Sequence, residues 1–203
     1  MHWADVAAQS LSHKGKKHIV STGITPSGEF HIGHLREILT GDMIARAARN
    51  ADLDVDFVFI IDSADPLRKV YDFLGSDYEQ FVGNQLGAIP APKEDGSPDW
   101  ERFENENWTY ANHFLEPFLK ALNEIGVNPR LIDNLESYRS GRFAELSKVA
   151  CDKADEIREC IERISSRELP DDWFPWSPLN SKKGLDKVKV TGYEYPLVHW
   201  KDE

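Results

Sequence analysis

Two histidines, His31 and His34, lie three residues apart in a stretch whose residue types suit phosphate chemistry. Apolar residues recur every three or four positions from Leu35 onward, which predicts a helix with both imidazoles in its first turn. The free N–H groups and the positive dipole end of such a helix attract anionic phosphate. Two imidazoles there could stabilise charge that develops on a phosphate during an in-line displacement. Gly33, which lies between them, leaves room for a flat ring.

A predicted loop precedes the histidines and follows a short apolar strand. Its glycines lack a Cβ atom, so the backbone can approach a ligand closely, and its hydroxyl groups can donate or accept hydrogen bonds. The loop lies at the carboxyl end of the strand, where ligands bind in open α/β sheets. Its candidate ligand-contacting residues are Gly23, Thr25, Pro26, Ser27 and Gly28.

Two carboxylates follow a second predicted strand. Residues 55–61 form a near-continuous apolar run, which is typical of a parallel strand covered on both faces. Asp62 and Asp65 come directly after this run and would lie beside the first loop, where a carboxylate could bind an amine or balance a cation. The alternative is that they cap a turn, with Asp65 and Pro66 starting a short helix.

The remaining pattern predicts an α/β chain, with residues 17–61 as one right-handed β-α-β unit. Its length suits one ordinary domain, or one domain plus a small appendage. An amphipathic helix is expected over residues 2–13, with Trp3, Val6, Ala7 and Leu11 on one face. The other expected elements are helices from Leu35 to Asn50, from Tyr110 to Gly126 and from Ser137 to Ser165, and a third strand from Val127 to Asp133.

Composition limits the classes of function. The formal net charge is −11, which argues against broad electrostatic binding of nucleic acid, although local basic patches remain possible. No apolar run is long enough to span a membrane, and the first residues do not resemble a signal peptide. Cys151 and Cys160 lie in a predicted helix at a spacing of about 14 Å, too far apart to bond to each other. Reduced thiols and a cytoplasmic location are therefore expected.

The stretch from Thr22 to Glu37, TGITPSGEFHIGHLRE, resembles a known signature. His-Ile-Gly-His at its centre is similar to the HIGH motif of class I aminoacyl-tRNA synthetases, and the flanking Thr-Pro-Ser-Gly resembles the class I type of lysyl-tRNA synthetase, typical of archaea and some bacteria. The resemblance extends to about residue 178. It implies a Rossmann-like (HUP-type) parallel sheet with helices on both faces, and the use of ATP with Mg²⁺.

The resemblance also implies roles for individual residues. The two signature histidines would be catalytic and would bind ATP together with Pro26, Ser27, Gly28 and Gly33, while lysine would contact Gly23, Thr25, Asp62 and Asp65. Arg68, which follows the acidic segment, and His113, within a matching Tyr-Ala-x-His-Phe string, are further candidates. One acidic position of the family pattern is Ser63 in this chain.

The carboxyl-terminal part departs from the family. We expect residues 1–170 to form the amino-terminal half of the catalytic domain and residues 171–203 to start an inserted subdomain. Residues 187–200 alternate as a β-hairpin would, and they resemble a zinc ribbon whose metal ligands are lost. A Cys-x-x-Cys pair is replaced by residues 179–184, so no zinc is expected. The second family signature, of the Lys-Met-Ser-Lys-Ser type, is missing; the nearest string is Ser181-Lys182-Lys183.

The expected function is therefore that of the amino-terminal half of a lysine–tRNA ligase, which binds ATP and L-lysine, forms lysyl-adenylate, and passes lysine to tRNA(Lys) in the full-length protein. One alternative is a non-catalytic module or fragment that binds a nucleotide or a tRNA-like partner. The other is a nucleotidyltransferase with the same HIGH signature. Lysine-dependent exchange of pyrophosphate into ATP would distinguish the ligase from these two alternatives. No membrane partner is expected.

Overall fold

A computed structural model of the protein describes residues 2–180, 184 and 188–202. Helices and strands alternate over residues 3–61, as is typical of an α/β chain. The helices are α1 (Trp3–Ser12), α2 (Ile32–Asn50), α3 (Trp100–Glu106), α4 (Tyr110–Glu124), α5 (Asn134–Arg139), α6 (Ala144–Asp152) and α7 (Ala154–Ser165). The strands are β1 (Lys17–Ile24), β2 (Asp54–Ile61), β3 (Arg130–Asp133), β4 (Val188–Glu194) and β5 (Leu197–Asp202). Two 3₁₀ turns cover Ser76–Phe81 and Leu86–Ala88.

The first three strands form a parallel sheet in the order β1-β2-β3. β1 and β2 pair along their whole length, from Lys17 opposite Asp54 to Ile24 opposite Ile61. β3 is shorter than the predicted strand because it begins at Arg130. The β-α-β arrangement predicted for residues 17–61 is confirmed, and the carboxyl ends of all three strands meet at one edge of the sheet.

The main core lies between the sheet and two helices. Alternate residues of β2 face one side, because successive side chains of a strand point to opposite faces, and the side chains of α2 and α4 pack on that same side. Burial of such large apolar side chains contributes roughly 1.5–3 kcal/mol each. The cluster comprises Phe57, Phe59 and Ile61 of the strand with Ile38, Ala45, Leu115, Phe118, Leu122 and Val127.

The opposite side of the sheet is less covered. Ile19 of β1 lies on that side and is 70% exposed, and its register neighbour Asp56 forms an ion pair with Arg130 at 2.5 Å. Val58 of the central strand is nevertheless buried. A helical layer on this second side of the sheet stays a prediction.

Helix α1 packs against α2 through small residues. Its buried positions are Ala4 and Ala8, and Ala8 contacts a cluster with Ala48 and Leu53. The predicted apolar face is therefore wrong in part, since Trp3 is 46% exposed and Val6 is also exposed. Alanines, rather than the larger apolar residues, occupy the contact between α1 and α2 because small side chains let the two helices approach closely.

The turn-rich segment between β2 and α4 forms a second core. Tyr78 and Tyr110 are fully buried there, and the Tyr78 hydroxyl donates to the carbonyl of Pro90 at 3.0 Å. Burial and the nearby Asp99 carboxylate raise the pKa of Tyr78 well above its ordinary value. Leu67, Leu86 and other apolar residues complete the cluster. This segment is thus a packed layer on the carboxyl edge of the sheet, where it supports the loops of the candidate site.

The long helix predicted from Ser137 to Ser165 is wrong as a single element. It is divided into α5, α6 and α7. Gly141, at φ 75°, separates the first two, and Lys153 separates the last two. Ile164, the penultimate residue of α7, is 76% exposed. Both cysteines are free, as expected, with Cys151 buried and Cys160 exposed.

The last described residues form the predicted hairpin. β4 and β5 are antiparallel, and Tyr193 of β4 donates from its hydroxyl to Asp152 of α6 at 2.9 Å. Lys187 and the string Ser181-Lys182-Lys183 lie outside the described residues. The boundary near residue 170 and the zinc-ribbon relationship stay predictions. No helix in the described ranges is long and apolar enough to cross a membrane.

Candidate active site

The two signature histidines cap the amino terminus of α2. The backbone N–H of Gly33 donates to Nδ1 of His31 at 3.1 Å, and the backbone N–H of His31 donates to Nδ1 of His34 at 3.0 Å. Their ring centroids are 3.9 Å apart. Because both Nδ1 atoms accept hydrogen bonds, each neutral imidazole carries its proton on Nε2. The cap thus leaves two Nε2–H donors side by side at the positive end of a helix.

The environment of His34 favours its neutral form. Burial and the neighbouring His31 lower the pKa of His34, and the Glu37 carboxylate opposes this shift. Phe30 presents its ring to His34 with centroids 5.3 Å apart, and stacks on Phe118 of α4 at 4.4 Å. An aromatic column from the core therefore fixes the orientation of the second signature histidine.

Gly33 is required by the cap itself. A Cβ atom at this position would lie 2.8 Å from Cε1 and 2.9 Å from Nδ1 of His31. The predicted room for a flat ring is therefore partly taken by the imidazole of His31. A role of Gly33 in admitting adenine stays a prediction.

The loop between β1 and α2 is held from two sides. The Thr25 hydroxyl donates to Oδ2 of Asp65 at 2.8 Å, which joins the ends of β1 and β2. The Tyr110 hydroxyl donates to the carbonyl of Ser27 at 2.8 Å. Pro26 is buried between these contacts, and Gly28 faces Phe73, which a Cβ atom would meet at 3.8 Å. The predicted loop residues are thus ordered around a small turn.

The predicted carboxylates lie together at the carboxyl end of β2. The backbone N–H of Asp65 donates to the carbonyl of Asp62 at 3.1 Å, so the two residues share a turn. Burial and the charge of Asp65 raise the pKa of Asp62, while a hydrogen bond from the Asn134 amide opposes the shift. The alternative of a helix starting at Pro66 is wrong, because Pro66 forms an isolated bridge with Gln85. This pair of acids is suited to binding a cation.

Ser63 faces a different partner. Its side chain is 1% exposed, and its hydroxyl donates to Oδ1 of Asp133 at 2.7 Å and accepts from the backbone N–H of Leu135 at 3.3 Å. An acid at position 63 would place a second carboxylate against Asp133. Ser63, where the family pattern has an acid, therefore links the end of β2 to the end of β3 through these hydrogen bonds. It lies beside a polar cavity of about 310 Å³.

Two predicted site residues, Arg68 and His113, make no contact with the signature histidines, the loop or the acids in the part of the chain that the structure describes. Arg68 is exposed. His113 is half-buried with its ring against Phe114 at 4.8 Å, and burial and Arg102 lower its pKa, an effect opposed by Glu29. Roles for both residues stay predictions.

Several contact residues of the site were not predicted. Glu37 accepts from the backbone N–H of Gly23 at 3.3 Å, and Asn134, Tyr110 and Phe30 hold Asp62, Ser27 and His34 respectively. Two of these residues carried a sequence signal: Glu37 lies one helical turn after His34, and Tyr110 begins the Tyr-Ala-x-His-Phe string. Within residues 2–180, 184 and 188–202, no three His, Cys, Asp or Glu side chains are grouped as a metal site requires.

The parallel sheet and the histidine-capped first crossover helix define the class: they are the features expected of a class I aminoacyl-tRNA synthetase. Comparison with known families agrees, because the family described as tRNA synthetases class I (K) matches residues 1–203. The chain belongs to this family.

Individual relatives carry more specific names. A lysine–tRNA ligase of Methanosarcina barkeri is 40% identical over 195 residues, which cover 96% of this chain and 34% of the relative. The lysine–tRNA ligase of Thermoplasma acidophilum is 37% identical over 201 residues, covering 98% and 37%. That of Methanocaldococcus jannaschii is 39% identical over 196 residues, covering 96% and 35%. The chain spans about a third of the length of the curated relatives it matches.

Proposed function

We propose that this chain binds ATP and L-lysine as the amino-terminal half of the catalytic domain of a lysine–tRNA ligase. The observation that carries the proposal is the pair of His31 and His34, whose Nδ1 atoms cap α2 and whose Nε2–H groups stay available. The similarity to relatives named as lysine–tRNA ligases supports lysine as the amino acid that the chain binds. The protein would act in the cytoplasm and pass lysine to tRNA(Lys) once the rest of the enzyme is present.

The first chemical step is formation of lysyl-adenylate. A carboxylate oxygen of lysine attacks the α-phosphorus of ATP, the bond from that phosphorus to the bridging oxygen breaks, and pyrophosphate leaves with the electron pair. His31 and His34 donate from Nε2 to phosphate oxygens, so they stabilise the charge that grows during the displacement. The dipole of α2 adds to this effect, and residues 26–28 and Gly33 border the nucleotide.

Lysine would be bound by the opposite wall of the site. The backbone of Gly23 and the hydroxyl of Thr25 border the amino acid, and Thr25 is oriented by its hydrogen bond to Asp65. Asp62 and Asp65 supply negative charge for an ammonium group, which lowers the cost of keeping two neighbouring carboxylates ionised. Mg²⁺ would enter with ATP, bound mainly by phosphate oxygens and water. No zinc is assigned to this chain.

Isothermal titration with a non-hydrolysable lysyl-adenylate mimic tests the proposal. The His31→Asn variant removes the imidazole but keeps a residue that caps helices well, so it separates ligand binding from folding. We expect heat of binding for the unaltered chain and for His199→Asn, a control in β5, and a large loss for His31→Asn. Equal heats for all three proteins would contradict the assignment of the site.

Exchange of labelled pyrophosphate into ATP separates catalysis from binding. Lysine-dependent exchange supports the ligase, whereas binding without exchange supports a non-catalytic module. Exchange that depends on a different second substrate supports the nucleotidyltransferase alternative.

A further inference from the structure

An exposed pair of aromatic rings follows β2 and lies beside the loop proposed to bind ATP. The rings of Tyr71 and Phe73 are parallel, with centroids 5.7 Å apart. Phe73 is 48% exposed, and its ring lies beside Gly28, where a Cβ atom would meet it at 3.8 Å. Phe73 therefore presents an apolar ring to solvent at the border of the proposed ATP site.

The segment that carries the pair is fixed at both ends. The buried side chains of Leu67 and Leu74 anchor it in the second core, and the backbone N–H of Leu74 donates to the carbonyl of Tyr71 at 2.9 Å. The ring of Phe73 also packs edge-on against Phe114 of α4, with centroids 5.7 Å apart. The exposed ring is thus held in place before a ligand binds, which lowers the entropic cost of binding.

Two cations precede the rings. Arg68 and Lys69 are exposed, and in the ranges that the structure describes neither forms an ion pair with a carboxylate. Nζ of Lys69 lies 5.5 Å from the centroid of the Tyr71 ring, within the range of a cation–π contact. The two cations outnumber Asp72, the one acid of residues 68–73, in a chain whose formal net charge is −11.

We infer that residues 68–73 bind the single-stranded 3′ end of an RNA, with the terminal base stacked on Phe73 and a phosphate beside Lys69; this assignment rests on the proposed function. Aromatic rings next to positive charge are the combination by which proteins bind single strands. Transfer of lysine requires the terminal ribose of the RNA to reach the lysyl-adenylate, so the terminal base must lie at the border of the ATP site. Phe73, beside Gly28, lies at that border.

A single strand of RNA matches this surface better than two other ligands do. The phosphates of ATP are already provided with donors by His31, His34 and the dipole of α2, so the two cations after β2 are additional and match the phosphates of a longer ligand. An acidic peptide would match the cations but would leave Phe73 without a stacking partner.

Fluorescence anisotropy of a short single-stranded RNA, labelled at its 5′ end, measures this binding at low salt. An RNA with an intact 3′-terminal adenosine is compared with the same RNA whose terminal base is removed. For the unaltered chain we expect removal of the base to weaken binding about tenfold, as loss of one stacked base implies. Phe73→Ala should bind both RNAs equally weakly, whereas Phe73→Trp should keep the difference. The control Trp200→Ala, at a 44% exposed position of β5, should behave as the unaltered chain does.

The salt dependence of the same binding tests the cations. Lys69→Gln should weaken binding and reduce the slope of log affinity against log salt by roughly 0.7, because one phosphate contact no longer releases counterions. The control Lys14→Gln, at an exposed position between α1 and β1, should leave the slope unchanged. Asp72→Asn should strengthen binding at low salt, because it removes a charge that repels phosphate.

Four results would overturn the inference. They are no binding of RNA at low salt, equal affinity of the unaltered chain for the two RNAs, a base effect that survives in Phe73→Ala, and equal binding of an acidic peptide of the same length and charge. Circular dichroism of each variant checks that the helices are intact.

Titration with the lysyl-adenylate mimic separates this inference from the proposed function. Phe73→Ala should bind the mimic as tightly as the unaltered chain does. A matching loss of affinity for the mimic would assign the ring to the adenine of ATP and contradict the RNA site. Failure of the unaltered chain to bind the mimic contradicts the proposed function, whatever the RNA titrations show.

Discussion

The backbone N–H of His31 donates to Nδ1 of His34, and Nδ1 of His31 in turn accepts from the backbone N–H of Gly33 in the first turn of the same helix. The two histidines therefore do structural work at the start of α2 and leave their Nε2 atoms for a ligand. Folding and ligand binding share the same two side chains, and substitutions at these positions must be chosen to separate the two roles.

Replacing His31 by Ala should destabilise the chain, because the N-cap acceptor is lost. We expect a decrease of about 1 kcal/mol in the free energy of unfolding, and a much smaller change for His31→Asn. Urea denaturation followed by circular dichroism measures both. Equal stability of the Ala and Asn variants would show that the cap contributes nothing.

Replacing Gly33 by Ala should weaken ligand binding while leaving the stability of the chain almost unchanged. Ala favours the helix by about 1 kcal/mol, but its Cβ atom would lie 2.8 Å from Cε1 of His31 and push that ring out of the cap. We expect little net change in stability and a clear loss of affinity for a non-hydrolysable ATP analogue. Titration calorimetry beside thermal unfolding makes the comparison. Unchanged affinity would mean that the ring of His31 can move without cost to binding.

Replacing Asp62 by Asn should stabilise the chain at neutral pH. Burial and Asp65 raise the pKa of Asp62, so the folded state binds this proton more tightly than the unfolded state. Stability from this group is present at low pH, where it is protonated, and is lost as pH rises through its folded pKa. The difference between Asp62→Asn and the unaltered chain should therefore shrink as pH falls, as unfolding measured from neutral to acidic pH would show. A constant difference across that range would exclude this cause.

Replacing Asn134 by Ala should raise the pKa of Asp62 further, since the amide hydrogen bond lowers it. Lysine binding that depends on an ionised Asp62 should then weaken at a higher pH than in the unaltered chain. Titrations with lysine between mildly acidic and neutral pH measure the shift. The Asn128→Ala variant, at an exposed position before β3, serves as the control and should leave the profile unchanged.

Replacing Phe118 by Ala should affect both the core and the site. Phe118 is 8% exposed, and loss of a buried aromatic ring costs about 3–5 kcal/mol. Its stacking partner Phe30 would lose the support that orients it against His34. We therefore expect a weaker ATP analogue complex in the variant that remains folded. Phe118→Leu should restore most of the stability and less of the binding, because an aliphatic side chain fills the space without stacking.

Much of the framework was predictable from local patterns. The strand from Lys17, the helix ending at Asn50, and the apolar run ending at Ile61 have strong periodicity, and the boundaries observed agree closely. The helix after Asp133 was less predictable, because its apolar residues continue past Gly141, where a positive φ ends α5. Glycine permits that conformation without requiring it, so periodicity alone did not reveal the break.

The sequence by itself determined which chemical groups meet at the start of α2, because His31, Gly33 and His34 are local to one helical turn. Only the tertiary structure decided that Asp65 holds Thr25, that Asn134 holds Asp62, and that Glu37 reaches Gly23. These partners come from different elements. Their distances depend on the strand order and on the register between strands, and no short sequence pattern encodes either.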